Sequence, residues 1–234
     1  MDFKEGEVLY FNKPLKWTSF DLVAKVRYQL SRKLKVKKLK VGHAGTLDPL
    51  ATGVMIICTG KATKRIEEFQ YHTKEYVATI QLGATTPSFD LEKEIDATYP
   101  TEHITREMVE ETLKTFIGRI EQIPPVFSAC KIEGKRAYDL ARAGKEVELK
   151  PKILVIDEIE LLECKLPEIK IRVVCSKGTY IRALARDIGV ALNSGAHLTG
   201  LIRTRVGEIA LDGCMAVEGF PEWLDKQEIK EINE

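Results

Sequence analysis

At 234 residues, with 44% hydrophobic and 30% charged side chains, the chain has the composition of a globular protein built on one large core. No apolar run approaches the roughly 18 residues that a membrane-crossing helix needs, and the opening Met1-Asp2-Phe3-Lys4-Glu5-Gly6-Glu7 has no signal-peptide core, so no membrane partner and a cytoplasmic location are expected. The net charge of +1 gives no bulk sign of a polyanionic partner, and only its distribution along the chain can do so.

Leu9-Tyr10-Phe11 is a short strand candidate that runs into Asn12-Lys13-Pro14-Leu15-Lys16-Trp17-Thr18-Ser19, where Ser19 suits a helix N-cap. Phe20, Val23, Val26 and Leu30 then recur at helical spacing and predict an amphipathic helix. Residues 25–40 carry eight basic side chains (Lys25, Arg27, Arg32, Lys33, Lys35, Lys37, Lys38, Lys40) and no acidic one. A solvated lysine-rich face is the plainer account of such a run. Its direct abutment on Gly42-His43 favours a phosphate backbone as the partner of this one-sided field.

The chain is organised around the next stretch, Lys40-Val41-Gly42-His43-Ala44-Gly45-Thr46-Leu47-Asp48-Pro49-Leu50-Ala51-Thr52-Gly53. Its glycines permit backbone angles and close approaches that other residues forbid. It feeds the apolar run Val54-Met55-Ile56-Ile57-Cys58, which reads as a buried strand. Pro49 biases Asp48 toward an extended backbone and removes one donor, so a rigid loop presents the carboxylate. The competing reading is an ordinary Asp-Pro turn whose aspartate caps local amides. The following Thr59-Gly60-Lys61-Ala62-Thr63-Lys64 is not a Walker loop, because Met55 and Ala62 stand where glycine and a hydroxyl residue are required. Lys61 and Lys64 remain candidate phosphate contacts.

Lys74 to Gly83 alternates, with Tyr76, Ala78, Ile80 and Leu82 on one face, and predicts a strand. Thr105 opens a second helix with Val109, Leu113, Phe116 and Ile117 inward and Gly118 as its stop. Between Gln122 and Tyr138 basic side chains, Lys131 among them, interleave with Phe127 and Tyr138, a mixture suited to backbone neutralisation plus base stacking. Ile169, Ile171, Val173 and Cys175 alternate in another half-buried strand. Thr179 can cap a helix with apolar positions Ile181, Leu184, Ala185, Ile188 and Leu192, ended by Gly195. Arg182 falls in its first turn, where the helix dipole disfavours a cation, and a carboxylate is the natural compensation. After Gly207 a short acidic tail follows. Five cysteines, at 58, 130, 164, 175 and 214, are odd in number and lack Cys-x-x-Cys spacing, which predicts reduced thiols and no structural zinc.

Gly42-His43-Ala44-Gly45-Thr46-Leu47-Asp48-Pro49-Leu50-Ala51-Thr52-Gly53 resembles the signature of the TruB family of tRNA pseudouridine synthases, and Cys175-Ser176-Lys177-Gly178-Thr179-Tyr180-Ile181-Arg182 resembles a second. The resemblance covers roughly residues 8–210. It implies an α+β pseudouridine synthase fold, with a central mixed, mostly antiparallel sheet flanked by helices and an RNA-binding thumb loop at about 122–150. It also implies a catalytic domain over 1–210, with 211–234 a short acidic extension too small for the PUA domain many relatives carry.

By the same resemblance the chain isomerises uridine to pseudouridine in the T-loop of tRNA (uridine 55), as a monomer without metal or cofactor. Asp48 would be the nucleophile and Arg182 its partner. Tyr76 would stack on the base near the carbon that loses its proton, and Tyr180 and Leu201 would pack against that base. His43 would lie at the RNA-binding face, and Lys13, Lys61, Lys64 and Lys131 complete the candidate RNA contacts. Two departures stand out: Lys16 replaces the family's usual glycine, and Ser88 varies the Thr-x-Thr-x-Asp pattern ending at Asp90. The reaction breaks a glycosidic bond, turns the base and rejoins it through carbon, which calls for a carboxylate nucleophile and a base out of its stack. The alternatives are a tRNA-folding chaperone that inserts the same loop without chemistry, and a glycosidase. The glycosidase needs a second acid near Asp48, and residues 40–60 contain none.

Overall fold

In the computed structural model, which describes residues 1–128, 131–132, 135–137 and 149–230, the chain divides into two units, Met1–Glu75 with Ile202–Glu234, and Tyr76–Leu201. Both have mixed or antiparallel strand pairing with helices packed alongside, the α+β class that the sequence predicts. Among the described residues no helix is long and apolar enough to cross a membrane.

The first unit is built on β3 (Ala51–Thr59), buried at every position except Thr52. A strand covered on both faces reads as a continuous apolar run, which is why the sequence located it. The strands β1 (Val8–Lys13) and β2 (Val41–Ala44) both pair antiparallel with it, from Val8↔Cys58 to Lys13↔Gly53 and from Val41↔Thr59 to Ala44↔Ile56. Ala44, Val54, Ile56, Cys58, Phe69 and Val206 form one apolar cluster.

Helix α1 (Ser19–Leu34) buries Leu22, Val23, Val26 and Leu30. Two expectations are corrected here. The N-cap is Thr18, which forms a reciprocal capping box with Asp21, and this frees Ser19 for another task. Phe20 is 66% exposed, and the Arg27 guanidinium lies 5.7 Å above its ring. Lys16 adopts φ 67°, so the turn keeps the left-handed geometry of a glycine with a lysine in place.

Residues 211–230, read as an acidic extension, are built into this unit. The strand β14 (Met215–Ala216) pairs in parallel with β1, and α5 (Phe220–Asp225) seats a fully buried Phe220 edge-on against Phe11, ring centroids 5.2 Å apart. Lys33 of the basic run reaches Asp225 at 2.7 Å.

In the second unit β4 (Lys74–Leu82) buries Tyr76, Ala78, Ile80 and Leu82 on one face, as predicted. The strand β11 (Glu168–Cys175) buries Ile169, Ile171, Val173 and Cys175. Its antiparallel neighbour β10 (Lys152–Lys165) also pairs with β7 (Gly118–Gln122). The sequence reading passed over β10. Two bulges, between Ile156 and Glu158 and between Leu161 and Glu163, shift its register and break the alternation that marks a strand.

Helix α3 (Arg106–Lys114) is capped by Thr105 as expected, but Ile117 is 46% exposed rather than inward, and Gly118 opens β7 at φ 102°. Helix α4 (Ile181–Ala191) departs at both ends. The Thr179 hydroxyl donates to the Ser176 carbonyl at 2.9 Å and caps nothing. The C-terminal turn is closed by Asn193 at φ 54°. Gly195 serves a close approach instead: an added Cβ would lie 2.5 Å from the Tyr99 ring.

Candidate active site

Between β2 and β3 the chain makes a broad loop, with the half-buried Asp48 at its centre. Five consecutive backbone carbonyls of this loop are held by named donors. Arg203 donates to Gly45 at 3.2 Å and to Thr46 at 3.4 Å, and the Ser19 hydroxyl to Leu47 at 3.0 Å. The Ala51 amide donates to Asp48 at 3.0 Å and the Lys16 amide to Pro49 at 2.7 Å. The Leu47 amide in turn donates to the Ser19 hydroxyl at 2.9 Å, and the Leu47 side chain is buried. The glycines of the block have specific tasks. Gly53 sits at φ 114° with an added Cβ only 2.2 Å from the Arg203 carbonyl, so no side chain fits. The backbone that carries Asp48 is therefore held on both sides of the residue.

Lys13 is fully buried, its ammonium donating to the carbonyls of Pro14 at 2.9 Å and Trp17 at 2.6 Å. Burial pushes this amine down to about 8; the Asp48 carboxylate pulls the other way, and Arg203 adds to the depression. His43 is half-buried, and burial first, then the Arg203 charge, lowers its pKa below the ordinary imidazole value. Both effects disfavour the imidazolium form of His43 in the free protein. The structure brings Lys13, His43 and Asp48 together around Arg203.

Lys61 and Lys64 sit on a 3-10 turn, Gly60–Arg65; Lys61 is ion-paired with Glu5 at 2.7 Å, and Lys64 is exposed. The backbone of Lys131 belongs to β8 (Lys131–Ile132), paired with β9 (Lys135–Arg136). Its side chain, and most of the segment read as a thumb, lie outside the described residues.

In the second unit Arg182 is 4% exposed in the first turn of α4. Its guanidinium donates to the carbonyls of Ser88 at 3.2 Å and Phe127 at 3.0 Å, and its Nε lies 3.8 Å from Asp90 Oδ2. Asp90 is a carboxylate of the kind the helix dipole called for, and the sequence reading did not identify it in that role. It ends a tight turn in which the Thr86 hydroxyl donates to the Asp90 carbonyl at 2.6 Å, the Ser88 hydroxyl donates to it at 3.3 Å, and Phe89 takes φ 64°. Tyr180 is fixed through its backbone, which exchanges two hydrogen bonds of 2.9 and 3.1 Å with the Gln122 amide. Tyr76 is the third residue of β4 at 8% exposure, and Leu201 lies half-buried within β12 (Ala196–Val206).

Arg203, Ser19 in its role as a clamp, Asp90 and Gln122 were all missed by sequence reasoning. Arg203 and Asp90 left traces, the first as a cation two residues beyond Leu201 in a stretch with strand character, the second as the end of the Thr-x-Thr-x-Asp pattern. Among the described residues no group of three or more His, Cys, Asp or Glu side chains is placed to hold a metal ion.

Comparison with known proteins places this geometry in context. Residues 31–181 match the family model described as TruB family pseudouridylate synthase (N terminal domain). A protein of Phocaeicola vulgatus named tRNA pseudouridine synthase B is 84% identical over 232 residues, 99% of each chain. A Bacteroides fragilis protein of the same name is 80% identical over 230 residues, 98% of this chain and 99% of its own. Among solved structures, an H/ACA RNP bound to a substrate RNA containing 2'-deoxyuridine is similar at 26% identity with a TM-score of 0.68, over 97% of this chain and 57% of that one.

Proposed function

The chain belongs to the TruB family of pseudouridylate synthases, and we propose that it isomerises uridine to pseudouridine in tRNA, with the T-loop uridine as its target and Asp48 as its nucleophile. The observation that carries this reading is the Asp48 loop, in which every carbonyl from Gly45 to Pro49 is hydrogen-bonded. A carboxylate fixed before substrate arrives costs no reorganisation at the moment of reaction. The Asp48 carboxylate in turn favours the charged form of the buried Lys13.

The base must leave its stack for Asp48 to reach it, and tRNA loops are where unstacked bases are available. The remaining roles follow the family pattern. Arg182 is the proposed partner of the reacting Asp48 carboxylate. Tyr76 stacks on the base and lies nearest the C5 proton that must leave as the new carbon–carbon bond forms. Tyr180 and Leu201 pack against the base, and His43 meets the RNA as a neutral group. Residues 1–210 form the catalytic part with a thumb at about 122–150, and the exposed lysines of 35–40 meet phosphates.

The test is release of tritium from a T-loop stem-loop labelled at uridine C5, with wild-type protein and Asp48→Ala. Stoichiometric release by the wild type and none by the variant, with equal RNA binding, supports synthase and nucleophile together. Binding without release by either protein would replace the synthase with an RNA-folding module. Equal release by both would remove Asp48 from the mechanism.

A further inference from the structure

Arg203 is 2% exposed, and every hydrogen-bond partner its guanidinium has among the described residues is a backbone carbonyl or the Met55 sulfur. Its Nε donates to Val54 at 2.8 Å, Nη1 to Thr46 at 3.4 Å and Nη2 to Gly45 at 3.2 Å. These acceptors lie on opposite sides of Asp48 in the chain, two on the arm that enters the loop and one on the strand that leaves it. The Arg203 backbone is pressed against Gly53 on the leaving side as well. One planar fork thus ties the base of the loop shut. An ammonium has no such span, because it is a point charge on a flexible stem.

Burying a cation whose hydrogen bonds go to neutral acceptors is costly, and apolar packing is often the more stable choice at such positions. Stability alone is therefore a weak reason for an arginine here. The reach of its charge is visible in the neighbourhood, since it disfavours the protonated forms of both Lys13 and His43.

Building on the proposed role of Asp48, we propose that Arg203 is the positioning residue for the nucleophile, acting by clamping both arms of the loop so that the carboxylate is held in its reactive place. Arg203 does not touch the reacting atoms. It fixes the backbone that carries them, and a misplacement of about 1 Å costs on the order of a hundredfold in rate.

The experiment measures single-turnover tritium release at saturating RNA, RNA affinity, and amide hydrogen exchange over residues 45–54, for wild type, Arg203→Lys and Arg203→Met. The Met variant is expected to lose about a hundredfold in rate with affinity within about threefold, and Lys to restore less than a tenth of that loss. Exchange is expected to rise in the loop while the rest of the unit stays protected. If Arg203→Met does not fold, the Lys variant carries the same three readouts. A wild-type rate in the Lys or Met variant overturns the proposal, as does an affinity loss that matches the rate loss. Exchange raised throughout the unit would reduce Arg203 to a general stabiliser and also overturn it. A wild type that releases no tritium counts against the proposed function, and so against this role built on it. A wild type that releases label alongside fully active Arg203 variants counts against Arg203 alone.

Discussion

The Ser19 hydroxyl holds both backbone groups of Leu47, donating to the carbonyl at 3.0 Å and accepting from the amide at 2.9 Å. A serine at the first position of α1 would ordinarily be occupied with its own helix. Here Thr18 and Asp21 cap α1, and Ser19 is left to fix the residue that precedes Asp48.

Ser19→Ala leaves two buried polar groups without a partner, at about 1–3 kcal/mol each if nothing relaxes. A loss of about 2 kcal/mol in urea unfolding is expected, with turnover reduced tenfold or more and RNA affinity unchanged. Helix content by circular dichroism should stay constant, because Thr18 still caps α1. A drop in helicity would place the hydroxyl's role in the helix rather than in the loop.

Lys13 gives the fold a pH dependence whose sign follows from its buried amine. Its pKa in the fold is about 8 against an ordinary 10.5, so between those values the unfolded chain binds more protons than the folded one. Stability contributed through this group therefore rises with pH across that window, by up to about 3 kcal/mol at about 1.4 kcal/mol per unit. Below pH 8 the cost of the buried ammonium is fully present. Turnover is expected to fall over the same window, since deprotonation removes a cation from the neighbourhood of Asp48. Urea midpoints at pH 7.5 and 9.5 test the first statement, and Lys13→Met should flatten the difference.

Lys16 carries a side chain at φ 67°, where a non-glycine residue costs about 1–2 kcal/mol. Lys16→Gly removes that strain and adds back about 0.5–1 kcal/mol of unfolded-state entropy. The net expectation is a stabilisation of about 0.5–1 kcal/mol with activity retained, because the Lys16 amide still reaches Pro49. A destabilised Lys16→Gly protein would mean that the lysine side chain makes a contact worth more than the strain.

Phe220 tests whether the last described residues belong to the folding unit. It is fully buried against Phe11 of β1, with Trp223 stacked on its other side at 5.8 Å. Phe220→Ala should cost about 3–5 kcal/mol and lower the unfolding midpoint of the whole unit in one transition. A detachable extension would instead melt separately and leave turnover intact.

The sequence by itself determined the elements that repeat a pattern and the block that carries the proposed nucleophile. The continuous apolar run of β3, the alternation of β4 and β11 and the spacing of α1 and α3 each follow from burial of one face or two, and burial leaves a period in the sequence. Asp48 and Arg182 were legible as candidates because they sit inside long, specific motifs, whereas Lys16 in place of the usual glycine pointed to an altered turn and only the structure shows the left-handed geometry kept. The strand β10 was not legible, because its bulges erase the period.

Only the tertiary structure decided which side chains hold the loop. Arg203 lies 155 positions after Asp48 in the numbering and Ser19 lies 28 before Leu47, yet their donors converge on consecutive carbonyls. Backbone carbonyls are the same for every residue type, so their partners leave no mark at the position they serve. The same holds for Phe220 against Phe11 and for Asp90 beside Arg182. A contact between distant positions is fixed by how strands and helices pack in three dimensions, and no local pattern records it.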